Sequence, residues 1–162
     1  MKVQDVMMGT PVYCSPETNL GSAIEILWER NCGILPIVDA RRKVIGVVTD
    51  RDLCVALGTR NRLPGQITVG EVATGEVHSC RAHEDIHAAL QTMARQRVRR
   101  LPIVSEDGVL EGILSMDNVV LHIESAGWGR KPELSDEDVV STLRQIYGPL
   151  VPQVVEARAA RA

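Results

Sequence analysis

The sequence predicts a mixed α/β fold (α+β in its layering): two pseudosymmetric strand–helix–strand–strand–helix units packed as a pair, plus a C-terminal helical extension. Three observations predict it. First, one ungapped offset of 66 residues aligns residues 3–57 with 69–123, placing Val3 on Val69, Gly9 on Gly75, Cys14 on Cys80, Ala23 on Ala89 and Gly46 on Gly112. A period this long exceeds that of solenoid repeats, so two copies read as paired subdomains, each short of a complete core. Second, each copy carries apolar residues at helical spacing. Third, each carries two short β-branched runs, of which Leu35-Pro36-Ile37-Val38 recurs as Leu101-Pro102-Ile103-Val104.

The elements follow in order. Val12-Tyr13-Cys14 is a short strand candidate, broken by Ser15-Pro16-Glu17-Thr18-Asn19, which also offers helix caps. Leu20, Ala23, Ile24, Leu27 and Trp28 form a helical stripe, and Asn31 and Gly33 are stop residues. Ile34 to Val38 and Val44 to Val48 read as strands covered on both faces. A second helix starts near Thr49-Asp50 and runs to about Leu57. The second copy repeats this with the stripe Ile86, Ala89, Leu90, Met93, Ala94. Its strands are Leu101 to Val104 and Leu110 to Leu114, joined by the turn Glu106-Asp107-Gly108. The expected organisation is a first subdomain over 1–58, a linker over 59–68, a second subdomain over 69–124, and a linker with helical extension over 125–162. Within the extension, Gly127 to Pro132 reads as linker, and Ser135-Asp136-Glu137-Asp138 as a capped helix start. Val139, Leu143, Ile146, Tyr147 and Leu150 make a narrow apolar stripe that Gly148-Pro149 ends or kinks.

Composition narrows the function. With two Trp, two Tyr and no Phe, the core is aliphatic and offers few stacking platforms for single-stranded nucleic acid. A net charge of −3 gives no bias toward nucleic acid or an anionic membrane. No apolar run approaches a membrane span, and the first residues lack the long apolar segment of a signal peptide, so the expected location is cytoplasmic. Cys14, Cys32, Cys54 and Cys80 form no CxxC pair and read as small buried hydrophobes.

The chemistry concentrates after the last strand of copy one, Gly46-Val47-Val48-Thr49-Asp50-Arg51-Asp52. A helix beginning at Thr49-Asp50 directs free backbone N–H groups and a partial positive charge outward, which suits an anion. Thr49 adds a hydroxyl and Arg51 a guanidinium fork matched to phosphate. Asp52 is an acceptor-only carboxylate able to take both hydroxyls of a ribose. The alternative is a plain helix cap with a solvated first turn.

With the repeat, these residues resemble the CBS-domain family (cystathionine-β-synthase-type domains), which occurs in tandem pairs. The resemblance rests on the element order, the paired Leu-Pro-Ile-Val strands, the Gly-x-x-Thr-x-x-Asp string ending at Asp52, and Val98-Arg99-Arg100-Leu101-Pro102. It covers residues 3–123, and the whole chain resembles small bacterial stand-alone members. It implies two clefts between the halves, adenosine ligands there (AMP, ADP or ATP, sometimes S-adenosylmethionine or a dinucleotide such as NAD), and a homodimer. Carried over, Asp52 would hold the ribose, Thr49 and Arg51 the phosphate, and Arg99 and Arg100 would reach phosphate from the other half. Val12, Ile34, Leu35 and Pro36 would flank the base. The plainer reading of these arginines, with Arg95 and Arg97, is a basic helix end. Copy two departs from the string: Ser115 keeps the hydroxyl, but Asn118 replaces the carboxylate and Asp117 stands where copy one has Arg51. A weaker second site at Pro102, Ser115 and Asn118 is therefore expected.

His83 and His87 stand one helical turn apart, with His78 and Cys80 nearby, but no third ligand is evident and a surface or packing role is favoured over a metal. No nucleophile system and no Gly-rich phosphate loop stands out. The expected function is a non-enzymatic sensor of an adenine nucleotide, with no required cofactor and no metal. The alternative is a nucleotide-independent dimerisation or interaction module, in which residues 133–150 dock on an unidentified protein effector or a second copy.

Overall fold

The computed structural model describes residues 1–73, 76–123 and 132–149. The expected linker residues 127–131, Leu150 and the chain after it, and Gly75 of the repeat lie outside the described residues. Copy one contains α1 (Leu20–Glu29), β1 (Ile34–Val38), β2 (Val44–Thr49) and α2 (Asp50–Thr59). Copy two contains α3 (Ile86–Gln96), β3 (Arg100–Val104), β4 (Leu110–Ser115) and α4 (Met116–Leu121), and α5 (Asp136–Tyr147) follows. β1 pairs antiparallel with β2, and β3 with β4, in the same register 66 residues apart: Leu35 faces Val48 and Leu101 faces Leu114.

Local chemistry accounts for the boundaries. The Asn19 side chain accepts from the Ser22 N–H at 3.0 Å and starts α1. α3 ends where Arg97 turns into the left-handed region at φ 55°. β1 is buried along its whole length, whereas β2 is covered on one side only, with Ile45 exposed. The strand expected at Val12-Tyr13-Cys14 shrinks to single bridges: Cys14 pairs with Ile37, as Cys80 pairs with Ile103. The next ladder bond toward Val12 would come from the N–H of residue 36, which Pro36 lacks, as Pro102 does in copy two. Trp28, expected on the buried stripe, is 85% exposed. Leu20, Ala23 and Leu27 fill the core-facing arc, and Trp28 lies past its edge.

Each core is completed by the leader of the other copy. The 3₁₀ turn Val3–Asp5 lies on copy two, with Val3 N–H donating to Glu84 O (3.0 Å) and Gln4 N–H to Ala82 O (2.8 Å). Its counterpart Val69–Glu71 lies on copy one, where Val69 N–H meets Thr18 O (2.7 Å) and Gly70 N–H meets Pro16 O (2.9 Å). Val3 and Val6 belong to the copy-two cluster with Ile86, Met93 and Leu101, and Ile67 and Val69 to the copy-one cluster with Leu20, Leu35 and Leu53. Burying such side chains contributes about 1.5–3 kcal/mol each. Within the stretch expected as linker, 59–68, α2 ends at Thr59, a 3₁₀ turn spans Pro64–Gln66, and Ile67 is fully buried in the copy-one core. The hairpin turns also meet on the pseudo-twofold, with Val44 N–H to Gly108 O and Leu110 N–H to Arg42 O, both 3.0 Å.

α5 starts as expected. Ser135 Oγ accepts from Asp138 N–H at 3.2 Å, while the Asp138 carboxylate accepts from Ser135 N–H and O–H at 2.9 and 2.6 Å. Its buried side, Val139 and Ile146, joins the copy-two core together with Leu134. Of the stripe expected for a partner, Val139, Leu143 and Ile146 are therefore packed within the chain, on the side of α5 that meets α3, while Tyr147 stays exposed. No helix among the described residues is long and apolar enough to cross a membrane.

Candidate functional site

A cleft of about 660 Å³ opens between the copies. Copy one lines it with Gly33, Ile34, Val47 and the run Thr49, Asp50, Arg51, Asp52. Copy two contributes Glu76, His78, Gln96 to Arg100 and Pro102, and α5 contributes Ile146 and Tyr147. The volume and the mixture of apolar wall and convergent charge suit a small-molecule ligand.

Thr49 and Asp52 form a capping box at the start of α2. The Asp52 carboxylate oxygen Oδ2 accepts from Thr49 N–H at 2.9 Å and Thr49 O–H at 2.7 Å, and Asp52 N–H donates back to Thr49 Oγ1 at 3.3 Å. The plain cap reading of these residues is therefore realised. It leaves the half-buried carboxylate with a second oxygen, Oδ1, able to accept. Ser115 and Asn118 repeat the box at 3.1, 2.7 and 3.2 Å with the amide oxygen in place of the carboxylate.

Guanidinium groups reach the cleft from both halves. Arg51 and Arg99 are exposed and make no ion pair with any described acid. Arg100 Nη2 lies 3.6 Å from the exposed Asp117 carboxylate. A Cβ placed on Gly33 would lie 3.3 Å from both Arg100 Nη1 and Asp50 Oδ2, so this glycine admits both charged groups to the floor of the cleft. Arg97 points its Nε at Ile146 O (3.2 Å) and its Nη2 at Gly148 O, closing the C-terminal end of α5. Glu76 and His78 face each other at 4.0 Å.

Of the residues expected at the first site, Ile34, Thr49, Arg51, Asp52, Arg99 and Arg100 line this cleft, while Val12, Leu35 and Pro36 do not. Leu35 is wholly buried in the copy-one core, and Pro36 O accepts from Cys14 N–H at 3.0 Å. Pro102, expected at the weaker site, lines the Asp52 cleft instead. The reason is that the cleft is built crosswise: the Thr49–Asp52 turn of one copy faces the Cys80-side segment and hairpin of the other. The 66-residue offset carries Val12 to His78 and Pro36 to Pro102, so the repeat itself held the signal once read across the pair rather than within a copy. Nothing in the repeat pointed to Ile146 and Tyr147.

Other groups settle into structural roles. Burial pushes the Cys14 thiol up to about 11 and the Cys80 thiol up to about 12, and both side chains sit in the cores. Cys54, expected to be buried, is exposed on α2. His87 lies with Nδ1 3.1 Å from Asp85 and Nε2 3.5 Å from Asp138, linking α3 to α5. No group of three metal-ligating side chains occurs among the described residues.

Comparison with known proteins agrees with this architecture. A family model described as CBS domain matches residues 3–59 and again 69–125. The CBS domain-containing protein YhcV of Bacillus subtilis is 30% identical over 128 residues, covering 77% of this chain and 89% of that protein. Among solved structures, Hypoxic Response Protein I, crystallised with two coordinated zinc ions, superposes with a TM-score of 0.70 at 27% identity, over 76% of this chain and 100% of that one. CBSX2 in complex with AMP superposes with a TM-score of 0.65 at 29% identity, over 74% and 93%. The chain spans only 40% and 57% of the length of relatives from Thermofilum pendens and Methanopyrus kandleri. The crossed leaders, the twin hairpins and the cleft between them are thus those of a tandem pair, and the chain belongs to the CBS domain family.

Proposed function

We propose that this protein is a regulatory module that binds an adenine nucleotide (AMP, ADP or ATP) in the cleft at Asp52, one molecule per chain, and that it catalyses no reaction. The observation that carries this reading is the convergence, in one cleft, of a ribose-suited carboxylate from copy one with unpaired guanidinium groups from both copies. Asp52 accepts the ribose hydroxyls through Oδ1. Arg51 and Arg99 close on phosphate from opposite walls, with Thr49 and the start of α2 behind them. Ile34, Val47 and Pro102 give the base an apolar surface. AMP in the related CBSX2 supports the ligand class. A nucleotide touching both halves favours whichever relative placement fits it, and that preference is the signal such a module passes on.

The counterpart position in copy two supports one strong site rather than two. Asn118 lacks the charge, Asp117 would repel phosphate, and Asp117 already faces Arg100. Calorimetric titration of protein stripped of carried-over nucleotide, with AMP, ADP and ATP and with guanosine nucleotides as controls, tests the reading. Saturation near one adenine nucleotide per chain is the expected result. Two equivalent sites would remove the asymmetry argument, and no heat or displacement with any of them would remove the nucleotide.

A further inference from the structure

α5 lies beyond the residues matched by the family model, yet its last turn forms part of the cleft wall. Ile146 is 7% exposed and anchors this turn in the copy-two core, while the adjacent Tyr147 is 63% exposed and lines the cleft. Arg97 joins the two: its backbone ends α3, its Nε and Nη2 hold the carbonyls of Ile146 and Gly148, and it too lines the cleft. A guanidinium has five N–H donors, and those on Nη1 stay available to an anion while the other nitrogens keep the helix end.

We propose that α5 is part of the ligand site: a nucleotide in the cleft contacts Tyr147 and the Nη1 side of Arg97, so that occupancy and the docking of α5 on α3 reinforce one another. This rests on the nucleotide reading above. The coupling follows from linkage, because a ligand that touches the wall only when the helix is docked stabilises the docked state by its differential affinity. The coupling is reciprocal, so loosening α5 weakens the ligand. Among the cleft residues Tyr147 alone offers a benzenoid ring, in a chain with four aromatic side chains in all.

The test uses the full chain with AMP and ATP as probes. Hydrogen exchange of the α5 amides is measured with and without nucleotide, and affinity is measured for the wild type and for Tyr147→Ala. The exposed Tyr147 side chain makes a folded variant the expectation, checked by an unchanged thermal transition. At nucleotide concentrations about 100 times Kd, α5 exchange should slow by at least about 3-fold and by up to about 100-fold, the ceiling for a helix whose release abolishes binding. Tyr147→Ala should lose at least about 5-fold in affinity, the lower end for an aromatic contact to a base. Wild-type binding with α5 exchange unchanged or faster, or with affinity untouched by Tyr147→Ala, overturns this inference and leaves the nucleotide site standing. Absence of binding to the wild type overturns both.

Discussion

The proposed site gives the two oxygens of Asp52 different tasks. Oδ2 caps α2, while Oδ1 is available to a ligand. Substitution by Ala would confuse these roles, because it removes the cap as well. Asn separates them, since Asn118 already makes the same box in copy two with its amide oxygen. Asp52→Asn should therefore leave the thermal midpoint nearly unchanged and weaken nucleotide binding about 10-fold, the difference between a charge-assisted and a neutral hydrogen bond. Equal affinity by calorimetry would reject the ribose assignment. The cysteines give a second expectation at this scale. Buried thiols raised to about 11 and about 12 stay protonated near neutral pH, so Cys14 and Cys80 should resist a thiol reagent until unfolding. The exposed Cys54 should react first, as peptide mapping of a labelling time course would show. That Thr49 and Asp52 line the cleft was legible because they stand in one short string, whereas Arg99 entered through the family resemblance. His78 was legible only by carrying Val12 across the repeat, because its place in the cleft depends on how the two copies face each other.

At the scale of elements, helices and hairpins were legible and their assignments to a core were not. Periodicity and caps placed α1, α3 and α5 to within a residue or two, since those signals are local. The burial of Ile67 and the exposure of Trp28 follow from which element packs opposite, a long-range fact. Gly112 shows such a constraint in one atom: a Cβ there would lie 2.8 Å from the backbone carbonyl of Met8. Gly112→Ala should destabilise by about 1–3 kcal/mol in denaturant titration, as overpacking does, because the obstacle is backbone bridged to Ile113. Gly46→Ala should cost less, its nearest neighbour being the end of the Ile37 side chain at 3.2 Å. α5 carries a pH signature. The Asp138 carboxyl is held below the ordinary range chiefly by the Ser135 hydroxyl, then by the Ser135 N–H and His87, and Asp85 is held low chiefly by the His87 N–H. Carboxyls lowered in the folded state favour folding above about pH 4, and this contribution fades as pH falls below that value. The protection of the α5 amides, measured relative to their intrinsic exchange rate at each pH, should therefore fall on acidification through pH 4 to 3, and Ser135→Ala should flatten that dependence.

For the whole molecule, the crossed leaders make the two copies one cooperative unit. A cut in the loop before Pro64 leaves residues 1–62 without Ile67 and Val69, and leaves residues 63–162 without Val3 and Val6. Neither fragment alone should show a cooperative thermal transition, and an equimolar mixture should recover one. A cooperative transition in either fragment alone would contradict the shared cores. The pairing of the copies was legible from the repeat, but the exchange was not, because the leaders align to their own copies in sequence. The exchange also has a consequence for synthesis. Copy one can close as soon as residues 67–73 leave the ribosome, because its leader follows it. The segment Met1 to Met8 has no site until Ala82 to Ile113 have been made, so it waits through the synthesis of about a hundred residues before it is seated. Until then Val3 and Val6 travel as an unplaced apolar segment on the nascent chain.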